Sequence, residues 1–334
     1  MTALLTVANV SKRFPIKAGI FARPVAWVHA VSDVSLEVMP GETLGIVGES
    51  GCGKSTLAKM IVRLLRPDTG NITFDGHDLT HLSHSALRPL RRNFQMVFQD
   101  PFASLNPRMT IGQIIAEPLH VHRLGSRRDR KDRVAALLEL VGLSADAVSR
   151  YPHEFSGGQR QRVGIARAIA VNPKLIVADE PVSALDASVR GEILNLLLDL
   201  QERLGLAYIF IAHDMTVVAQ ISHRIAVMYM GKIVEVLPAT NVLQPSHPYT
   251  RALLAAVPEA DPDKARALQP IGGDVPSPIT PPSGCHFHPR CAFRQFPRCR
   301  EDAPVLERKA NGHWAACHFA EDVVAAPSLT NAGK

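Results

Sequence analysis

The sequence predicts an α/β protein built on a largely parallel sheet, with an irregular cysteine-rich stretch at its C-terminal end. Three observations carry that expectation. Short apolar runs alternate with segments of helical periodicity, the pattern of strands joined by right-handed crossover helices. One run, Thr43-Leu44-Gly45-Ile46-Val47, leads into the string Gly48-Glu49-Ser50-Gly51-Cys52-Gly53-Lys54-Ser55-Thr56, after which Leu57, Met60, Ile61, Leu64 and Leu65 fall at helical spacing. A second run, Leu175-Ile176-Val177-Ala178, ends in the adjacent carboxylates Asp179 and Glu180. Strand, glycine loop and helix are the setting that a G-x-x-x-x-G-K-[ST] loop requires.

Taken in chain order, β-type runs dominate from Leu4 to about Phe98. Asp33-Val34-Ser35-Leu36-Glu37-Val38 alternates apolar with polar, and Ile72-Thr73-Phe74 precedes an Asp75-Gly76 turn. From about Pro107 to Phe155 the pattern is helical: Ile111, Ile114 and Ile115 make one face, and Val134, Leu137, Leu138 and Val141 another that stops at Gly142. Strands resume at 175–178, 207–212 and 224–230. A helix from Val189 to Leu204 lies between the first two, with Val189, Ile193, Leu196, Leu197 and Leu200 as its core stripe and Gly205 as its stop. Residues 245–282 hold nine of the 25 prolines, which predicts an extended segment rather than a packed core.

The glycine loop is a phosphate cradle. Glycines at 48, 51 and 53 let backbone N–H groups turn inward around a β-phosphate, together with the peptides of Ser50 and Cys52. Lys54 reaches the β/γ oxygens, the Ser55 hydroxyl can sit on Mg²⁺, Thr56 completes the nucleotide-binding string, and the helix that starts there points its positive end at the anion. Cys52 itself reads as a small filler residue. In P-loop NTPases the carboxylate strand lies beside the cradle, so that Asp179 holds Mg²⁺ and Glu180 orients or deprotonates water.

Further along, Phe155-Ser156-Gly157-Gly158-Gln159 precedes Val163-Gly164-Ile165-Ala166-Arg167-Ala168. By itself it reads equally well as a capped helix start. With Ser183-Ala184-Leu185-Asp186, and with His213 ending the strand Ala207 to Ala212, the order of motifs resembles the nucleotide-binding subunit of an ATP-binding cassette (ABC) transporter. That resemblance implies a RecA-like mixed-sheet core carrying a helical subdomain at about 107–157. It also implies that Ser156, Gly157, Gly158 and Gln159 complete the ATP site of a partner cassette, that Gln99 senses Mg²⁺ and relays nucleotide state, and that His213 holds the γ-phosphate and attacking water. Such cassettes stack adenine on an aromatic residue; Phe14 is the nearest match and Trp27 its rival, with Ile16 to Val28 as an insertion between the first strands. Phe155 stands where the family usually has Leu.

Four of the five cysteines, Cys285, Cys291, Cys299 and Cys317, fall close together in sequence, with His286, His288, His313 and His318 interleaved. In a reducing cytosol such a cluster favours metal over disulfides, and spacing alone favours zinc. His247-Pro248-Tyr249-Thr250, Pro276-Ser277-Pro278, Gly284 to Cys291 and Ala316-Cys317-His318 resemble the C-terminal extension of bacterial dipeptide/oligopeptide importer ATPases, and the resemblance implies a [4Fe–4S] cluster on the four cysteines instead. The expected division is a cassette at 1–245 and this extension at 246–334.

The function expected is ATP hydrolysis powering peptide import, with nickel or glutathione importers as alternatives. Implied partners are a second, different cassette, two permease chains and, indirectly, an extracytoplasmic solute-binding protein. No run approaches the ~20 apolar residues of a membrane span and no signal-peptide pattern opens the chain, so a peripheral place at the cytoplasmic face of the inner membrane is expected. The net charge of +6 is modest. Six Lys/Arg between Arg123 and Arg133, mixed with two Asp, read as a solvated helix face rather than a nucleic-acid surface. A nucleic-acid-associated ABC ATPase is the rival of another class. It lacks support here, because neither long coiled-coil or zinc insertions nor a second cassette is present. Both catalytic carboxylates count against a purely regulatory binder.

Overall fold

A computed structural model describes residues 2–19, 22–256 and 272–325. In chain order the first elements are β1 (Leu5–Ala18), β2 (Arg23–Val38), β3 (Thr43–Val47), α1 (Lys54–Ile61), β4 (Thr69–Phe74), β5 (His77–Asp78), α2 (His84–Leu90) and β6 (Phe94–Val97). Next come α3 (Pro101–Ser104), α4 (Ile111–Val121), α5 (Arg127–Leu140), α6 (Gly157–Ile169), β7 (Leu175–Asp179), α7 (Ala187–Leu204), β8 (Ala207–Ala212) and α8 (Met215–Ile221). The chain closes with β9 (Arg224–Tyr229), β10 (Lys232–Pro238), α9 (Pro248–Ala255), α10 (Arg298–Glu301), β11 (Glu307–Arg308), β12 (Trp314–Ala315) and α11 (Ala320–Ala325). These elements form two compact units, one from residues 1–5, 38–43 and 74–211, the other from 6–37, 44–73 and 212–334.

In the first unit β6, β7 and β8 run parallel, Phe94 facing Leu175 and Leu175 facing Ala207. Every residue of β7 and β8 is buried, as a parallel sheet covered on both faces requires. The helices start where side chains can satisfy the first free N–H groups. Thr110 with Gln113 and Ser126 with Asp129 form capping boxes for α4 and α5. Ile111, Ile114, Ile115 and Leu119 are buried on α4, and Val134, Leu137 and Leu138 on α5, which packs against α4 and α6. Gly205, at φ 63°, ends α7 in the left-handed conformation that glycine adopts most easily. The run from Arg123 to Arg133 is largely exposed, as a solvated face should be. The sequence reading did not anticipate α2, whose Ser83 cap opens a short helix within the region read as sheet.

In the second unit the strand order is β11-β12-β10-β9-β3, with β2-β1-β4 as a separate sheet. Leu44 to Val47 pair in parallel with Arg224 to Val227. β9 and β10 form a hairpin whose turn, Met230-Gly231, has φ 43° and 78°, both positive as a two-residue hairpin turn prefers. The segment from Ile16 to Val28 lengthens β1 and β2, and residues 20 and 21 lie outside the described residues.

The proline-rich segment departs from its expectation. Only part of it is extended: Pro248 opens α9, where its missing N–H costs nothing, and Ser246, His247, Tyr249 and Thr250 are buried to 1% exposure or less. Residues 257–271 of that segment lie outside the described residues. The stretch that follows is not a detached tail either. Glu235 and Val236 of β10 pair with Ala315 and Trp314 of β12, so the C-terminal strands extend the sheet that contains β3.

Candidate functional site

The phosphate loop runs from β3 into α1, and its glycines are dictated by what lies against them. A Cβ at Gly48 would sit 2.1 Å from the Met228 carbonyl oxygen, and one at Gly53 2.1 Å from that of Ala30. Gly53 also has φ 110°, a conformation that a side chain strains. Gly51, at φ 78°, faces open space. Lys54 is buried, and its Nζ donates to the carbonyls of Gly48 (2.7 Å) and Glu49 (3.0 Å). Cys52 is also buried, which pushes its thiol pKa up against the lowering effect of Lys54, consistent with a filler residue. Ser50 is exposed, Ser55 and Thr56 half-buried.

Sequence reasoning missed what holds this loop from the C-terminal side. The Tyr249 hydroxyl accepts the Glu49 N–H at 2.8 Å. Arg290 donates a fork to the Glu49 carboxylate, at 2.8 and 3.0 Å, from a side chain only 4% exposed. Hydrogen bonding to Glu49 raises the Arg290 pKa further above its ordinary value. Tyr229, Tyr249 and Phe287 form one aromatic cluster, with ring centroids 4.6 to 5.4 Å apart. Beside it, the wholly buried Glu235 carboxylate accepts the N–H groups of Ser246 (2.6 Å) and His247 (3.1 Å). Burial drives His247 down to about 3, and its neutral Nδ1 accepts the Tyr249 N–H at 3.1 Å. Tyr249 belongs to a motif singled out from sequence, but nothing there signals that Glu49 and Arg290 meet across 241 positions.

Asp179 ends β7 and is 5% exposed. Glu180, the next residue, has φ 47°, a left-handed conformation uncommon outside glycine and Asn. Its N–H donates to the Ile211 carbonyl at 2.9 Å, and Gln99 Nε2 donates to its carboxylate at 3.0 Å. Two predicted site residues, Gln99 and Glu180, are thus brought into contact. His213, exposed, follows β8, and the next residue, Asp214, caps α8.

Ser156 caps α6: its hydroxyl accepts from Gln159 N–H, and Gln159 Oε1 accepts from Ser156 N–H at 3.0 Å. Ser156 and Gln159 are exposed and Gly157 half-buried. Gly158 is buried, and the Val189 methyl group would stand 2.4 Å from a Cβ there. Phe155 is buried under the Arg150 guanidinium, 4.5 Å from its ring centroid, so it does serve as an apolar anchor. Phe14 and Trp27 both lie at the surface of the β1/β2 ribbon, 36% and 43% exposed, beneath the cations of Lys12 and Arg13.

The four cysteines of the C-terminal region lie near one another, and the charges of their neighbours add to the raised thiol pKa values of Cys285, Cys291 and Cys317. Burial, helped by those neighbours, pushes Cys291 up to about 11 and Cys317 up to about 12. Backbone N–H groups of Phe287, Phe293 and Phe319 oppose this at Cys285, Cys291 and Cys317. Among the described residues, no group of three or more His, Cys, Asp or Glu is spaced to hold a single metal ion. Two interleaved histidines are engaged elsewhere: His288 Nδ1 meets the Cys285 carbonyl (2.9 Å) and His318 Nε2 that of Asp302 (3.0 Å).

Two family models match this chain: "ABC transporter" over residues 31–183 and "Oligopeptide/dipeptide transporter, C-terminal region" over 234–299. A relative from Sinorhizobium fredii, named "Probable peptide ABC transporter ATP-binding protein", is 54% identical over 97% of this chain and 92% of its own length. This chain belongs to the ABC transporter ATP-binding proteins. The oligopeptide transport ATP-binding protein AppF of Bacillus subtilis is 50% identical over 95% of this chain and 97% of its own length. A glutathione import ATP-binding protein of Pectobacterium atrosepticum is 54% identical over 83% of this chain, but only 45% of that protein is covered. Among solved structures, a dimeric ATP-binding cassette in a post-hydrolysis state with ADP and phosphate matches with a TM-score of 0.63 at 32% identity. It covers 70% of this chain and 98% of that one. ABC proteins of this kind hydrolyse ATP to power transport, and among the described residues no helix is long and apolar enough to cross a membrane.

Proposed function

We propose that this ABC protein hydrolyses ATP to drive import of peptides of the dipeptide/oligopeptide class, at the cytoplasmic face of the bacterial inner membrane. The observation that carries the reading is a phosphate loop gripped by a C-terminal region of the oligopeptide/dipeptide transporter type, at Glu49. Lys54 and the N–H groups from Gly51 to Thr56 bind the triphosphate. Ser55, Asp179 and Gln99 hold its Mg²⁺. Glu180 takes the proton of the attacking water, its carboxylate aimed by the Gln99 amide, and His213 holds the γ-phosphate. Phe14 stacks the adenine. Ser156 to Gln159, exposed at the start of α6, act on the ATP of a second, different cassette, since a helix N-terminus favours an anion. Two permease chains and an extracytoplasmic solute-binding protein complete the machine, and nucleic acid plays no part. The functional division is a cassette at 1–245, with its helical subdomain at about 107–157, and an extension at 246–334.

The resemblance of the extension to that of dipeptide/oligopeptide importer ATPases supports a [4Fe–4S] cluster, rather than one zinc ion, on Cys285, Cys291, Cys299 and Cys317. The thiols lie near one another, and burial keeps Cys291 and Cys317 protonated until a metal displaces the protons, so loading would release protons. Bound there, the cluster supplies cross-links that a segment this short cannot obtain from its own core.

The transporter reconstituted in vesicles tests the main reading. ATP turnover should rise with a peptide-loaded binding protein, and Glu180→Gln should abolish the rise while ATP still binds. Stimulation by glutathione and not by peptides would replace the substrate class. For the cluster, iron and sulfide are assayed after strictly anaerobic purification; zinc alone would retire it.

A further inference from the structure

We propose that Arg290 and Tyr249, from the C-terminal region, are positioning residues for ATP binding that act through Glu49. The inference rests on residues 48–56 cradling the nucleotide. Glu49 is held on three sides. Its N–H goes to the Tyr249 hydroxyl, its carboxylate to the Arg290 fork, and its carbonyl receives Lys54 Nζ. The Gly48–Glu49 peptide thus has its N–H on Tyr249 and its carbonyl on Lys54 Nζ at 2.7 Å, so its orientation helps set where the Lys54 ammonium stands, and Lys54 is the cation that must meet the phosphates. Tyr249 is fully buried in its aromatic cluster, and Arg290 is nearly so, with Nε also donating to the Gly272 carbonyl at 3.2 Å. Both anchors are thus rigid rather than floppy surface groups.

Charge gives the fork a second consequence. Glu49 places a carboxylate in a loop whose task is to attract a polyanion. Left uncompensated, that carboxylate would repel ATP and compete with the phosphates for Lys54. Arg290 cancels it with a bidentate pair, a geometry that a lysine cannot reproduce. Because Arg290 immediately precedes Cys291, this contact also joins the thiol region to the nucleotide site.

The experiment measures binding of a fluorescent ATP analogue by the full chain, together with KM and kcat in the assembled transporter. Arg290→Ala should weaken binding about tenfold, equivalent to roughly 1.4 kcal/mol, raising KM while kcat at saturation holds. Arg290→Lys should fall between Ala and the parent chain. Tyr249→Phe, which deletes one hydroxyl, should weaken binding less. The deciding variant is Glu49→Gln/Arg290→Ala: with the carboxylate gone, affinity should recover to within about threefold of the parent, which a merely structural clamp would not produce. Arg290→Ala binding like the parent, or a double variant no better than Arg290→Ala, overturns the proposal. If Arg290→Ala does not fold, the same comparison is made with Arg290→Lys alone and combined with Glu49→Gln. A parent chain that fails to bind ATP refutes the cradle assignment instead.

Discussion

Replacing Gly158 by Ala should destabilise the chain, and replacing Val189 by Ala in the same molecule should restore it. Gly158 occupies the second position of α6, where a new Cβ would stand 2.4 Å from the Val189 methyl carbon. Real Cβ contacts lie beyond about 3 Å, so α6 or α7 must shift by more than half an ångström. Overpacking of this kind costs about 1–3 kcal/mol. Alanine in a helix is favoured over glycine by roughly 0.5–1 kcal/mol, which leaves a net loss of about 1–2 kcal/mol for the single change. Val189→Ala removes two methyl groups at a half-buried site, worth about 1 kcal/mol. In the double variant the clash is absent and the helical gain offsets the lost methyl groups, so its stability should lie within about 0.5 kcal/mol of the parent. The resulting coupling of roughly 2 kcal/mol is well above the additivity limit for independent sites. Urea denaturation of the four proteins, followed by circular dichroism at equal slope, measures the cycle. Additive single effects, or a Gly158→Ala protein as stable as the parent, would show that the close approach of Val189 does not explain this glycine.

The phosphate loop offers a parallel contrast: Gly53→Ala, blocked by the Ala30 carbonyl and φ 110°, should lose ATP binding by calorimetry, whereas Gly51→Ala, strained by its φ of 78° but facing open space, should lose less. Lys54→Ala should fail to bind Mg-ATP, while Glu180→Gln should bind it and hydrolyse at least ~100-fold more slowly; a nucleotide titration and a phosphate-release assay separate the two. Ser156→Arg should impair the site on the partner cassette and spare nucleotide binding at this chain's own Lys54, a distinction that site-specific photolabelling with azido-ATP reads directly. Cys291→Ser should lower melting temperature and ATP affinity together, because Arg290 beside it contacts the phosphate loop; unchanged affinity in a destabilised protein would uncouple them.

Much of the local structure around the candidate site was legible because its signals are local. Gly48 to Thr56 announce a strand, loop and helix in nine residues; the strand and helix stand where the apolar spacing placed them, except that α1 ends at Ile61, short of Leu64 and Leu65. The Asp75-Gly76 turn has φ 50° and 78°, as a tight hairpin requires of those two residue types. Gly142 and Gly205 end their helices at positive φ. The Ser156 capping box likewise follows from residues three apart, although whether Ser156 also serves a partner's nucleotide is not something cap geometry can express.

The sequence by itself therefore determined the main strands and helices from Thr43 to about Tyr229, apart from α2, together with the glycine loop, the carboxylate pair and the family to which the chain belongs, since each of these signals is short in sequence. Only the tertiary structure decided how the C-terminal region is used. Proline density suggested an extended segment rather than a packed core, yet α9 buries Tyr249 beside Tyr229 and Phe287, and β12 pairs with β10. Proline counts report backbone freedom in an isolated chain. They are silent about a buried aromatic cluster and a Glu235 carboxylate that receives the N–H groups of Ser246 and His247. The Arg290–Glu49 pair joins residues 241 positions apart, and no periodicity or motif spans such a distance. Charge complementarity between remote residues becomes visible only once the fold has brought them within hydrogen-bonding reach.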